Sequence, residues 1–121
     1  MNIELNYIKD SGNIDKERIV FNVISDTELG KFLVAQTELL EDSRFSSKLG
    51  NIYWFPDQQV KAGDLVVLYT KVGINTSIQN ENSTTTYFYY WGLDTVHNQN
   101  INACIVILDA SWKSYAVPVN Q

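Results

Sequence analysis

Three runs between Lys61 and Trp112 limit the possible folds more than any other part of the chain: Asp64-Leu-Val-Val-Leu-Tyr-Thr70, Thr86-Tyr-Phe-Tyr-Tyr-Trp91 and Ala103-Cys-Ile-Val-Ile-Leu108. β-Branched and aromatic side chains suit a pleated, half-buried surface, so runs this rich predict strands of a packed sheet. Asn-rich polar connections separate them, which leaves little room for a helical or disordered reading.

Earlier segments repeat the pattern. Ile3, Leu5 and Tyr7 alternate with Glu4 and Asn6, a period of two, and Asp10-Ser-Gly-Asn13 turns the chain. Ile19, Phe21 and Val23 share one face of the next run, with Arg18, Val20, Asn22 and Ile24 on the other. Lys31–Gln36 reads as a strand; Thr37-Glu-Leu-Leu-Glu41 reads as its end or as one helical turn. Asn51–Phe55 is a short strand stopped by Pro56, because proline removes a ladder donor. Lys71–Thr84 is a long polar excursion between two strands, expected as a hairpin connection or flap. Ser114–Val119 is expected as a last edge strand. About eight strands without a long helix predict an all-β, two-sheet sandwich, immunoglobulin-like or Greek-key, as one domain over residues 1–121.

The totals bound the function classes. At 121 residues, with 45% hydrophobic and 19% charged residues, one core can be buried without disulfides or metal. The formal charge is −5 and the nine Lys and Arg are scattered, so phosphate neutralisation, and with it nucleic acid or an anionic membrane, is disfavoured. A single cysteine excludes an internal disulfide. The opening residues lack a basic region and an apolar stretch, and no run approaches a membrane span, so a cytoplasmic chain is expected.

Chemistry-bearing residues are sparse. His97, the one histidine, lies near Asp94 and could act as a base or ligand, or be a surface loop residue; one His and one Cys do not make a zinc set. Cys104 sits in an apolar run without nearby positive charge, the setting of a structural thiol rather than a nucleophile. Glu38, Glu41 and Asp42, with Asp26 and Glu28, could supply an acid pair for glycoside chemistry, and Asp57, Asp64, Asp94 and Asp109 could offer oxygens to Ca²⁺; exposed surface acids account for both sets equally. Tyr87–Trp91 is the unusual segment: in a strand, Tyr87, Tyr89 and Trp91 share one face and Phe88 and Tyr90 the other. One face must meet the core. The other is either an aromatic platform for a ligand or is covered by the 71–84 loop.

Three segments resemble lamin-tail-like domains over roughly residues 17 to 112: Glu17-Arg-Ile-Val-Phe-Asn-Val-Ile-Ser-Asp26 with Leu29-Gly-Lys-Phe-Leu33, then Phe55-Pro-Asp-Gln-Gln-Val-Lys-Ala-Gly-Asp-Leu-Val-Val-Leu68, then Trp91 to Ala110. Ala62 stands where that family has proline, and Asn102-Ala103 where it has Gly-Asp. The resemblance implies an immunoglobulin-like sandwich used for binding or tethering, with no active-site residue to carry over.

The sequence therefore predicts a non-catalytic binding or protein-interaction module without a cofactor. Its candidate contacts are Tyr87, Tyr89, Tyr90, Trp91, Asn75, Asn80, His97 and Asn98, and its partner a protein or a second copy. A carbohydrate-binding module using the same aromatics is the alternative, and a small hydrolase a third.

Overall fold

Alternating apolar residues need two opposed surfaces to bury against each other, and the strands supply them. The computed structural model describes residues 1–42, 44, 46–96 and 103–117. Ten strands lie among these: β1 (Ile3–Lys9), β2 (Arg18–Val23), β3 (Thr27–Glu28), β4 (Phe32–Glu38), β5 (Ile52–Trp54), β6 (Gln59–Val60), β7 (Leu65–Tyr69), β8 (Thr76–Gln79), β9 (Thr85–Tyr90) and β10 (Ala103–Asp109). A 3-10 turn, Leu29–Lys31, is the one helical piece among the described residues. The strands form a five-stranded sheet, β1-β2-β7-β9-β8, a three-stranded sheet, β10-β4-β5, and a small β3-β6 pair. The two larger sheets pack as a sandwich.

The core follows the period of two. From the long sheet Ile3, Ile19, Phe21, Val23, Val66, Leu68 and Tyr89 point inward; Phe32 and Val34 meet them from the short sheet, and Leu29, Phe55 and Val60 fill the seam. Phe55 is the hub: its ring stands edge-on to Phe21 at 6.0 Å, Tyr53 at 5.2 Å and Tyr89 at 5.4 Å. The outward side of the long sheet is roofed by its own rings. Tyr69 stacks on Tyr90 at 5.1 Å and lies beside Phe88, and in the same rows Val20 and Val67 are buried although they face away from the core.

Two expectations are corrected and one open alternative is decided. The 71–84 excursion is not a simple hairpin connection: it contains β8, and β7 and β9 are parallel neighbours, with β8 antiparallel on the far side of β9. The chain must therefore cross the end of β9 before turning back, and Gly73 makes the crossing feasible. A Cβ there would overlap the Tyr90 ring. Residues 114–117 form no strand; Pro118 and Val119 fall outside the described residues. Thr37 and Glu38 continue β4 rather than starting a helical turn. No helix among the described residues is long and apolar enough to cross a membrane.

Candidate functional site

β9 divides the aromatic segment as alternation requires. Tyr87, Tyr89 and Trp91 turn inward; Tyr89 is buried, and Tyr87 and Trp91 pack against the core margin. Tyr90 lies on the other face under Gly73 and against Tyr69. Trp91 leans on Tyr53 at 6.2 Å, so neither ring is a free platform. Asn80 is used locally: its amide donates to the Thr84 and Thr86 hydroxyls at 3.1 and 3.0 Å, closing the β8–β9 turn. His97 and Asn98 lie outside the described residues.

Three of the expected residues do converge. Asn75, Tyr87 and Tyr89 line an open cleft of about 410 Å³ with Pro56, Asp57, Gln58, Thr76 and Ser77. Asn75 also hydrogen-bonds the Tyr53 side chain. Burial pushes the Tyr53 phenol up, with that hydrogen bond opposing the shift. Burial raises Tyr89 far more, helped by Tyr53, Tyr87 and Glu28.

A phenol that holds its proton more tightly when folded leaves stability unchanged below its unfolded value of 10.0. Above that pH the folded state binds more protons than the unfolded chain, so stability falls by up to about 1.4 kcal/mol per pH unit per group. Urea midpoints are expected to be flat in the neutral range and to decline once tyrosines ionise in the unfolded chain. Tyr89→Phe should make the decline shallower; an equally steep decline would remove Tyr89 as its source.

A second feature escaped sequence reasoning. Trp54 and Trp112 both remain about half exposed and meet edge-to-face at 4.9 Å. Both indole N–H groups donate to one acceptor, the Gly30 carbonyl, at 2.7 Å from Trp54 and 3.2 Å from Trp112. Gly30 also makes room on its other side, since a Cβ there would overlap the Asp57 carboxylate. The 3-10 turn that presents Gly30 is held by Glu28, whose Oε2 accepts from the N–H groups of Gly30 and Gln58. The result is a second depression of about 270 Å³ lined by Trp54, Phe55, Pro56, Asp57 and Trp112. It shares Pro56 and Asp57 with the first, so the two adjoin at those residues. The available signals were a tryptophan two residues before Pro56 and another in the polar tail after β10; neither revealed that the two meet.

No protein-family model matches the chain, and no curated protein matches it in sequence. The site's chemistry has to be read from its own residues.

Asp64, Asp26 and Glu28 among the candidate acids serve the fold. Asp64 is buried and accepts from the backbone of Lys61 and Thr85, both at 2.9 Å. Asp26 accepts from the Ala62 N–H, and Asp42 is paired with Arg44. Among the described residues no three of His, Cys, Asp and Glu gather as a metal set. Cys104 is half-buried rather than fully enclosed, on the outward side of the short sheet opposite Thr37. Burial and then Glu38 push its thiol up, away from a reactive thiolate.

Proposed function

We propose that this protein is a non-catalytic interaction module that docks, through the outward side of its short sheet, on a second copy of itself. One observation carries the reading. Register places Leu108, Leu33 and Trp54 in one row of that side, and Val106, Ala35 and Ile52 in the next. Ile52 and Trp54 are each 48% exposed and Leu108 38%, while Ala35 between them is buried, so the margins of these apolar rows face solvent beside the Trp112 ring. Large apolar side chains left exposed together on one sheet face mark a contact site. An isologous face needs only to be complementary to itself, and this one is apolar without a dominant charge. The acids spent on backbone N–H groups support a non-catalytic role. The lamin-tail-like resemblance, with its immunoglobulin-like sandwich, fits a binding role as well.

The test is association. The wild type is expected to sediment above its 13.8 kDa monomer mass as concentration rises, burying on the order of 800 Å² per copy. Ile52→Lys combined with Leu108→Lys should leave the far-ultraviolet circular dichroism intact, because both side chains lie outside the core, and should hold the chain monomeric. A wild type that stays monomeric at every concentration would defeat the proposal.

A further inference from the structure

We propose that the two adjoining depressions between Trp112 and Tyr87 form a binding site for a neutral oligosaccharide. The site goes beyond the protein-contact reading and does not depend on it; Trp54 belongs to both surfaces, so a second copy seated on the sheet face would compete with a ligand there.

The indoles come first. A tryptophan contributes to recognition through its ring and its N–H. Here both N–H groups are committed to the Gly30 carbonyl. That fixes the two rings before any ligand arrives, which lowers the ordering cost of binding. It also restricts what they offer to apolar ring surface. A proline-rich peptide wants an indole N–H for its carbonyl oxygen as well as a ring to pack on, and these rings have none to give. A sugar needs only the ring, against which it lays its C–H groups.

The rest of the lining supplies what a sugar's hydroxyls require. Asp57 is an acceptor, Gln58 and Asn75 both donate and accept, and Thr76 and Ser77 add hydroxyls. Asp57 lies where the two depressions join, within reach of a ligand in either. No Lys or Arg lines either depression. A phosphate, sulfate or carboxylate ligand would therefore meet Asp57 with no countercharge.

The shape favours a chain over a single sugar. Beyond Tyr87 lies a third depression of about 290 Å³ beside β6 and the β8–β9 turn, where Lys61 and Asp64 both contribute to the lining and so offset each other's charge. Three neighbouring depressions suit several successive rings better than one enclosed pocket would.

The experiment titrates the full chain with neutral hexasaccharides of glucose, xylose, mannose and N-acetylglucosamine, and separately with a polyproline decamer. Sugar concentrations reach about 5 mM, enough to populate a site of millimolar affinity. The readout is the indole N–H resonances of Trp54 and Trp112. At least one hexasaccharide is expected to shift both. Trp112→Ala and Asp57→Ala should each weaken that binding at least about tenfold, as loss of an aromatic or buried polar contact does. Trp112 is half exposed on the tail after β10, so its variant should fold, which an unchanged amide spectrum checks. The Ile52→Lys, Leu108→Lys variant should bind the sugar at least as tightly as the wild type does, keeping this site apart from the sheet-face contact. No shift with any hexasaccharide would overturn the proposal, as would a shift by the polyproline peptide alone or binding unaffected by Trp112→Ala.

Discussion

Phe55→Ala is expected to destabilise the fold by about 3–5 kcal/mol, the range for removing a buried aromatic ring and leaving a cavity. Phe55 is 2% exposed and lies just after β5, where its N–H donates to the Phe32 carbonyl at 3.3 Å. Its ring reaches across the sandwich to Phe21 on β2 and Tyr89 on β9. Each edge-on ring pair adds about 0.5–1.5 kcal/mol beyond the area it buries. Three such pairs meet at this ring, which places the substitution toward the upper end of the range. Against a total stability of about 5–15 kcal/mol for a small domain, that is a large fraction. Phe55→Leu refills most of the volume but loses the edge-on geometry, and should cost clearly less. Urea unfolding followed by tyrosine and tryptophan fluorescence measures both. A loss below about 1.5 kcal/mol for the alanine variant, the low end for burying such a side chain, would mean that the seam between the sheets collapses around the gap.

The strands that were legible in the sequence share one property: their apolar alternation is local. Ile19, Phe21 and Val23 on β2, and Val66 and Leu68 on β7, point inward as the period of two demands. β8 could not be seen this way. Thr76-Ser-Ile-Gln79 is exposed at every position, so nothing in its pattern separates it from a loop; its strand character comes from pairing with β9. The parallel β7–β9 ladder is a matter of topology, which alternation does not encode. In residues 114–117 the bias misled, because Tyr115 and Val117 suggest a strand but no ladder forms there.

The candidate site divides in the same way. That Tyr87 and Tyr89 share a face was legible, and they do line the cleft with Asn75. That this face is the inward one depends on Val66 and Leu68 beside them in the parallel ladder. The tryptophan pair was hidden because its geometry is set at Gly30, which is 82 residues from Trp112. A glycine in a sequence advertises a turn; it does not advertise a carbonyl that two distant indoles will share.

Asp64→Ala is expected to cost about 3 kcal/mol, because it removes two charge-assisted hydrogen bonds at once, each worth about 1.5–3 kcal/mol, and solvent recovers only part of the loss. Asp64 is 5% exposed. One carboxylate oxygen accepts from the Lys61 N–H and closes the turn into β7, while the other accepts from the Thr85 N–H at the start of β9. The backbone of the same residue is held too: its N–H donates to the Lys61 carbonyl and its carbonyl accepts from Val23. The side chain thus ties the beginnings of β7 and β9 together, and those two strands run parallel. A parallel pair has no tight turn of its own to set its register, so an anchor at the shared end carries more weight here than in a hairpin. Lys61 is exposed, so water can replace its acceptor; the Thr85 N–H is partly shielded and should account for the larger share. Asp64→Asn keeps one oxygen to accept and should lose roughly half as much, by loss of the charge and of the second acceptor. Hydrogen exchange separates the two effects: the Thr85 amide should lose protection in both variants, whereas the Val67 and Leu68 amides should follow only the global loss. If Asp64→Ala left the Thr85 amide as protected as in the wild type, the carboxylate would not be what fixes the register of β9 against β7.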